Sequence, residues 1–197
     1  MILLVDLCYE KDSLSQYEFV HPIARAIQTA GAAWEIVHYT EVEEGELQRY
    51  SHAILCGTAL QDNAYMEKLD RFGWIKSFPG PMLGICAGMQ VIGSVFSGEL
   101  VPFGSIGLEK IEILRETPLL GKPGQMEVYH LHGFGVTLPR EFLLLAGSSG
   151  RPEAFKLSGR PVYGIIFHPE VRSRWVLERF AGLQIDDRTS GITALQS

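Results

Sequence analysis

The sequence predicts an α/β fold: an open, mostly parallel sheet with helices on both faces and additional antiparallel strands in the C-terminal half. Three observations predict it. Short runs rich in Ile, Val and Leu recur through the first half of the chain with longer amphipathic stretches between them, the rhythm of parallel strands covered by helices. After Gly98 the runs become short and alternating, as in strands with one wet face. A chain of 197 residues, 46% hydrophobic, has material for one well-buried domain and hardly for two.

The first run is Ile2 to Asp6. From Glu18 to Ala30, Phe19, Ile23, Ala26, Ile27 and Ala30 recur at helical spacing, and Gly31 is placed to stop the helix. Trp34 to Tyr39 then reads as a second strand and His52 to Cys56 as a third. A helix is expected from Tyr65 to Phe78, closed by Pro79, Gly80 and Pro81. Met82 to Ile85 is the fourth strand, and the pattern turns helical through Val91, Ile92 and Val95. Ile111 to Leu114, Gln125 to His130, Phe142 to Ser148, Glu153 to Leu157 and Val162 to Phe167 are the later strand candidates. A last helix is expected over Arg172 to Gly182, which sets a domain at 1–183 and leaves 184–197 as a polar tail.

The charge balance excludes one class of partner. There are 17 basic and 23 acidic residues, a net charge of -6, and the basic residues are scattered, so no nucleic-acid partner is expected. The opening Met1 to Asp6 has no basic flank, and its apolar run breaks at Asp6, so neither a signal peptide nor a membrane partner is expected and the setting predicted is cytoplasmic. Cys8, Cys56 and Cys86 are odd in number and show no CxxC pairing, which points to free thiols and away from a disulfide framework or a zinc site.

The segment Pro81-Met82-Leu83-Gly84-Ile85-Cys86-Ala87-Gly88-Met89-Gln90 carries the most information. An apolar strand runs straight into Gly-x-Cys-x-Gly and then into a helix, the arrangement of a nucleophile elbow with cysteine in place of serine. A nucleophile on such a strained turn needs neighbours without bulk, which Gly84 and Gly88 supply. The positive end of the helix favours the attacking thiolate, and the N–H of Ala87 is placed to face a developing oxyanion. The bland reading is an ordinary buried thiol between glycines that serve packing.

Far downstream, Val162 to Phe167 delivers His168 and Glu170 at a strand's carboxyl end, with Pro169 fixing the bend between them. In open α/β sheets that edge binds ligands. A histidine held by a carboxylate suits proton relay between thiol, leaving group and water. Taken singly, His168 reads equally as a strand-end histidine and Glu170 as a cap of the following helix.

Together, Gly84-Ile85-Cys86-Ala87-Gly88-Met89-Gln90 and Phe167-His168-Pro169-Glu170-Val171 resemble the two signatures of class I glutamine amidotransferases, in the family's order and at about its separation. The resemblance covers most of the chain, apart from the tail and an insertion around Glu10 to Gln16. It implies a flavodoxin-like fold and a catalytic set of Cys86, His168 and Glu170. Thr58 and Ala87 would supply the oxyanion hole, and Gly57, Gln90, Gly133 and Phe134 would bind substrate. His132-Gly133-Phe134 is similar to the run found in the glutaminase subunit of carbamoyl phosphate synthetase. One departure stands out: Gly57-Thr58-Ala59 occupies the place of the family's Gly-Gly-Pro loop, so a β-carbon enters where backbone must approach substrate.

The resemblance further implies hydrolysis of L-glutamine to glutamate and ammonia without metal or cofactor, and an ammonia-consuming synthase on a separate chain as partner. Stand-alone amidotransferase subunits of GMP synthase are similar in size and layout. The long first loop, the altered oxyanion loop and Phe134 depart from what those subunits usually show, so the acceptor stays open. His130 and His132 share a face if their strand is extended, which admits a metal site lacking an evident third ligand. Rival readings are a γ-glutamyl hydrolase acting on peptide or amine conjugates, an inactive regulatory module, and another flavodoxin-like cysteine protein. The last group places a histidine directly behind the cysteine, where this chain has Ala87.

Overall fold

The computed structural model describes residues 1–184, so the tail expected from residue 184 lies, from 185 onward, outside the described residues. The strands are β1 (Ile2–Asp6), β2 (Trp34–His38), β3 (His52–Leu55), β4 (Met82–Ile85), β5 (Leu100–Ile113), β6 (Gly124–Val136), β7 (Phe142–Gly147), β8 (Pro152–Leu157) and β9 (Val162–Ile165). They form one sheet in the order β2-β1-β3-β4-β9-β8-β7-β5-β6. The ladders from β2 to β9 are parallel, and those from β9 through β8, β7 and β5 to β6 are antiparallel. The open α/β sheet with its antiparallel C-terminal extension is the fold the sequence predicts.

Burial explains the parallel part. Every residue of β1, β3, β4 and β9 is buried, so both faces of each strand need cover, and the sequence supplies apolar side chains at odd and even positions alike. Ile2, Leu4, Ile54 and Leu83 pack with helices α2 (His21–Thr29) and α4 (Trp175–Ala181) on one face. Leu3, Val5, Leu55 and Met82 pack with α3 (Ala87–Val95) and the aromatic segment around Phe72 and Trp74 on the other. Among the described residues no helix is long and apolar enough to cross a membrane.

Several elements differ from the sequence expectation. The single helix from Glu18 becomes two, a short one over Leu14–Phe19 (labelled α1) and then α2, because Pro22 at the start of α2 has no N–H for the preceding turn. Residues Ala64–Lys76 form 3-10 turns and no α-helix, since Lys68 leaves helical geometry (φ -127°, ψ 36°) and Gly73 weakens the remaining turns. α4 starts at Trp175 and not at Arg172, because Ser173 has φ 73° and ends any helical run there. β5 is the largest departure: its 14 residues were expected as strand only from Ile111. Pro102, Gly104 and Gly107 interrupt the pattern, and the strand is held by its β6 partner instead.

Candidate active site

The end of β4 feeds Cys86 into the first turn of α3 with φ 51° and ψ -105°, a positive-φ conformation that a residue with a side chain rarely adopts. The turn is held from both sides: the Cys86 N–H donates to the Ile165 carbonyl at 2.8 Å, and its carbonyl accepts the Gln90 N–H at 3.1 Å. Gly84 and Gly88 are required here. A β-carbon on Gly84 would strike the Gly88 carbonyl, and one on Gly88 would strike the Leu55 carbonyl. Cys86 is 4% exposed, and its thiol lies 3.6 Å from the Leu131 carbonyl, which accepts from it.

The chain beyond β9 brings His168 to the same rim. Its N–H donates to the Tyr129 carbonyl at 2.8 Å, which docks the residue against β6. Its Nδ1 lies 2.7 Å from Glu170 Oε1, and both side chains are buried. A carboxylate at that distance accepts the Nδ1 hydrogen, so Nε2 is the ring nitrogen left for chemistry; no other protein group among the described residues takes it. Burial pushes the imidazole towards neutrality, but the Glu170 carboxylate, the Cys86 sulfur charge and the hydrogen bonds to both outweigh it and hold the histidine well above its usual value. The ring is therefore a proton carrier beside a sulfur nucleophile. Gly57 explains how the ring fits: a β-carbon there would lie 2.8 Å from His168 Cε1 and 3.6 Å from the Cys86 β-carbon.

A cleft of about 250 Å³ opens beside Cys86 and Ala87, lined also by Thr58, Tyr65, Gln90, His132, Gly133 and Phe134. Of the nine residues singled out from sequence, the structure gathers Cys86, Ala87, Thr58, Gln90, Gly133 and Phe134 around the cleft. It sets His168 and Glu170 behind the sulfur, and Gly57 against the imidazole instead of in the cleft lining. Leu60 and Phe134, each 38% exposed, stand at the mouth.

Sequence reasoning missed three groups. Tyr65 donates its hydroxyl to Gln90 Oε1 at 2.6 Å, and Gln90 Nε2 donates to the Phe134 carbonyl at 2.8 Å, so the Gln90 amide is oriented from both ends. Asp62 accepts the Thr58 hydroxyl at 2.7 Å. The main chain of β6 presents the carbonyls of Glu127, Tyr129 and Leu131 to Ser173, His168 and Cys86 in turn. The only signal for this last set was the two-residue period of a strand. His130 and His132 do share a face, with ring centroids 5.1 Å apart, but His132 Nδ1 is 2.6 Å from the Phe103 carbonyl and His130 Nε2 is 3.0 Å from Glu153. Among the described residues no group of three His, Cys, Asp or Glu is placed to hold a metal ion. Burial, partly offset by the Phe103 carbonyl, pushes His132 below its usual value.

Known proteins share this arrangement at several levels. The glutamine-hydrolysing subunit of GMP synthase from Pyrococcus furiosus is 34% identical over 161 residues, covering 78% of this chain and 85% of the relative. Its counterpart from Methanothrix thermoacetophila is 32% identical over 160 residues, covering 78% and 84%. A crystal structure from Thermoplasma acidophilum, provisionally assigned to the same GMP synthase subunit, superposes with a TM-score of 0.79 at 27% identity over 92% of both chains. A Thermotoga maritima glutamine amidotransferase shares the fold, with a TM-score of 0.66 at 19% identity over 89% of this chain and 80% of the other. Residues 12–176 match the profile of the family Glutamine amidotransferase class-I, and with these relatives the match shows that the chain belongs to that family.

Proposed function

We propose that this chain hydrolyses L-glutamine to glutamate and ammonia through a thioester on Cys86, and supplies the ammonia to a synthase on a separate chain. The observation that carries the reading is the buried 2.7 Å bond between His168 Nδ1 and Glu170, behind a cysteine on a strained turn. In the first step the Cys86 sulfur attacks the side-chain amide carbon, and the carbonyl electron pair moves onto oxygen. The N–H groups of Thr58 and Ala87 receive that oxyanion. As the carbonyl re-forms, the C–N bond breaks and the nitrogen takes the His168 Nε2 proton to leave as ammonia. Water then gives a proton back to Nε2 and attacks the thioester carbon, which expels the sulfur and releases glutamate. Glu170 keeps the ring oriented, and its charge favours the imidazolium. Gln90, Gly133 and Phe134 hold the amino-acid part of the substrate, and Gly57 leaves room for the imidazole.

The catalytic unit in this reading spans residues 1–183, and its setting is the cytoplasm, where Cys8, Cys56 and Cys86 remain reduced thiols. Ammonia released into neutral water is protonated and loses its nucleophilicity, which is the chemical reason for a coupled synthase. Relatives named as the glutamine-hydrolysing subunit of GMP synthase make the synthase half of such an enzyme the first partner to test by co-purification. The activity is tested by assaying ammonia release from glutamine and by locating the adduct of a glutamine-mimicking electrophile by mass spectrometry. Loss of activity in Cys86→Ser with the adduct on Cys86 supports the reading. Greater efficiency on γ-glutamyl amides than on glutamine would replace it with a γ-glutamyl hydrolase.

A further inference from the structure

Thr58 stands where a second glycine would let the backbone adjust to substrate, so another feature must fix the loop that carries its N–H. Asp62, four residues on and 9% exposed, occupies the centre of that loop. Its Oδ2 accepts the Thr58 hydroxyl at 2.7 Å and the Tyr9 N–H at 2.5 Å, and its Oδ1 accepts the Ala64 N–H at 3.4 Å. The Asp62 N–H closes the turn on the Ala59 carbonyl at 2.9 Å. Three segments thus converge on one carboxylate: the first loop, the loop after β3 and the start of the 3-10 turns. Charge-assisted bonds of this kind are roughly twice as strong as neutral ones. The Thr58 N–H, by contrast, has no protein acceptor among the described residues, and Thr58 lines the cleft beside Ala87.

We infer that Asp62 is a positioning residue for glutamine hydrolysis: by holding the Thr58 hydroxyl it fixes the peptide whose N–H meets the oxyanion, which replaces glycine's freedom with a tether. The inference rests on the glutaminase reading. It also gives the first loop a place in the site, because Tyr9, at the edge of the insertion seen in the sequence, is bound to the same carboxylate. The loop's departure from Gly-Gly-Pro and the extra length upstream become two halves of one device.

The test compares Thr58→Val, Thr58→Ser, Asp62→Asn and the double variant Thr58→Val with Asp62→Asn. It measures kcat and KM for glutamine, thermal midpoints, and affinity for glutamate γ-semialdehyde, whose adduct with Cys86 carries an oxygen where the oxyanion forms. Removing an oxyanion donor outright costs about 10²- to 10³-fold in kcat, so a misdirected one is expected to cost about 10-fold. Thr58→Val and Asp62→Asn should each lose about that much kcat and a matching factor in aldehyde affinity, with KM changed less than about threefold. Thr58→Ser should restore most of the loss, and the double variant should fall no further than either single one. Unchanged kcat in Thr58→Val, a Thr58→Ser variant as slow as Thr58→Val, or additive losses in the double variant would overturn the inference and leave the glutaminase reading standing. Should Asp62→Asn not fold, Thr58→Val still decides, since it leaves the carboxylate its two backbone bonds. A wild-type chain that releases no ammonia from glutamine overturns both.

Discussion

The rim of the parallel strands and the ribbon formed by β5 and β6 both reach the candidate site, but they contribute in different chemical terms. The parallel side provides side chains: a sulfur at the end of β4, and an imidazole and a carboxylate beyond β9. The ribbon provides main chain: the carbonyls of Glu127, Tyr129, Leu131 and Phe134 accept from Ser173, His168, Cys86 and Gln90. Side-chain chemistry requires particular residue types, whereas a carbonyl comes with every residue. The first region is therefore intolerant of substitution at single positions, and the second depends on register.

Replacing Cys86 should break the parallel side most completely. Cys86→Ser is expected to lower kcat by at least about 10³-fold, since removing a nucleophile disables the set acting with it, and ammonia release measures this directly. Next comes the turn itself. Gly88→Ala drives a β-carbon into the Leu55 carbonyl, and backbone cannot step aside as a flexible side chain would. A loss of about 2–3 kcal/mol is expected in denaturant unfolding. Gly133→Ala sharpens the contrast, because its β-carbon would meet only Leu60 Cδ1, at 3.9 Å. That variant should unfold within about 0.5 kcal/mol of wild type.

The same division decides what the sequence disclosed. β1, β3, β4 and β9 are buried on both faces, so their apolar runs announce them, and Gly84, Cys86 and Gly88 are each required by a contact that other residues would break. His168 and Glu170 were legible for a related reason, as a proton carrier and its orienter sit at the end of such a run. β5 was not, because its outward positions are exposed, with Ile106 66% and Leu108 59% accessible, and its pairing with β6 spans the turn between them. Tyr65 resembled a core aromatic of a helix until its hydroxyl was found on Gln90. Asp62 had no pattern to mark it; its importance comes from Thr58 and Tyr9 meeting it in space.

Glu170→Gln tests whether the carboxylate sustains the imidazolium. The variant keeps an acceptor for Nδ1 but removes the charge, so the His168 titration followed by NMR should move down towards the ordinary value near 6.5, and kcat should fall about 10- to 100-fold at neutral pH. Stability carries the same signature with a definite sign. A histidine whose folded value is raised stabilises the fold fully below its unfolded value, and that contribution drains away as pH climbs through the raised value. Wild type should therefore lose unfolding free energy on the alkaline side of neutrality, and the decline in Glu170→Gln should be smaller and begin at lower pH. Equal titration of His168 in both proteins would contradict the assignment.

The smallest effect is expected where the two regions meet. Gln90 is a side chain of the elbow helix, but its amide is oriented by Tyr65 on one end and by the Phe134 carbonyl on the other. With the Tyr65 hydroxyl on Oε1, the amide cannot flip without setting a donor against a donor and Nε2 loses its carbonyl. Tyr65→Phe removes that constraint and leaves the ring packed, so the cost is one buried hydrogen bond, about 1 kcal/mol. In the proposed site Gln90 holds substrate and does not move protons, so this cost should appear as a rise in KM of about three- to tenfold with kcat nearly unchanged. A loss confined to kcat would place Tyr65 with Cys86 and His168 instead, and would make the division between a side-chain half and a main-chain half too sharp.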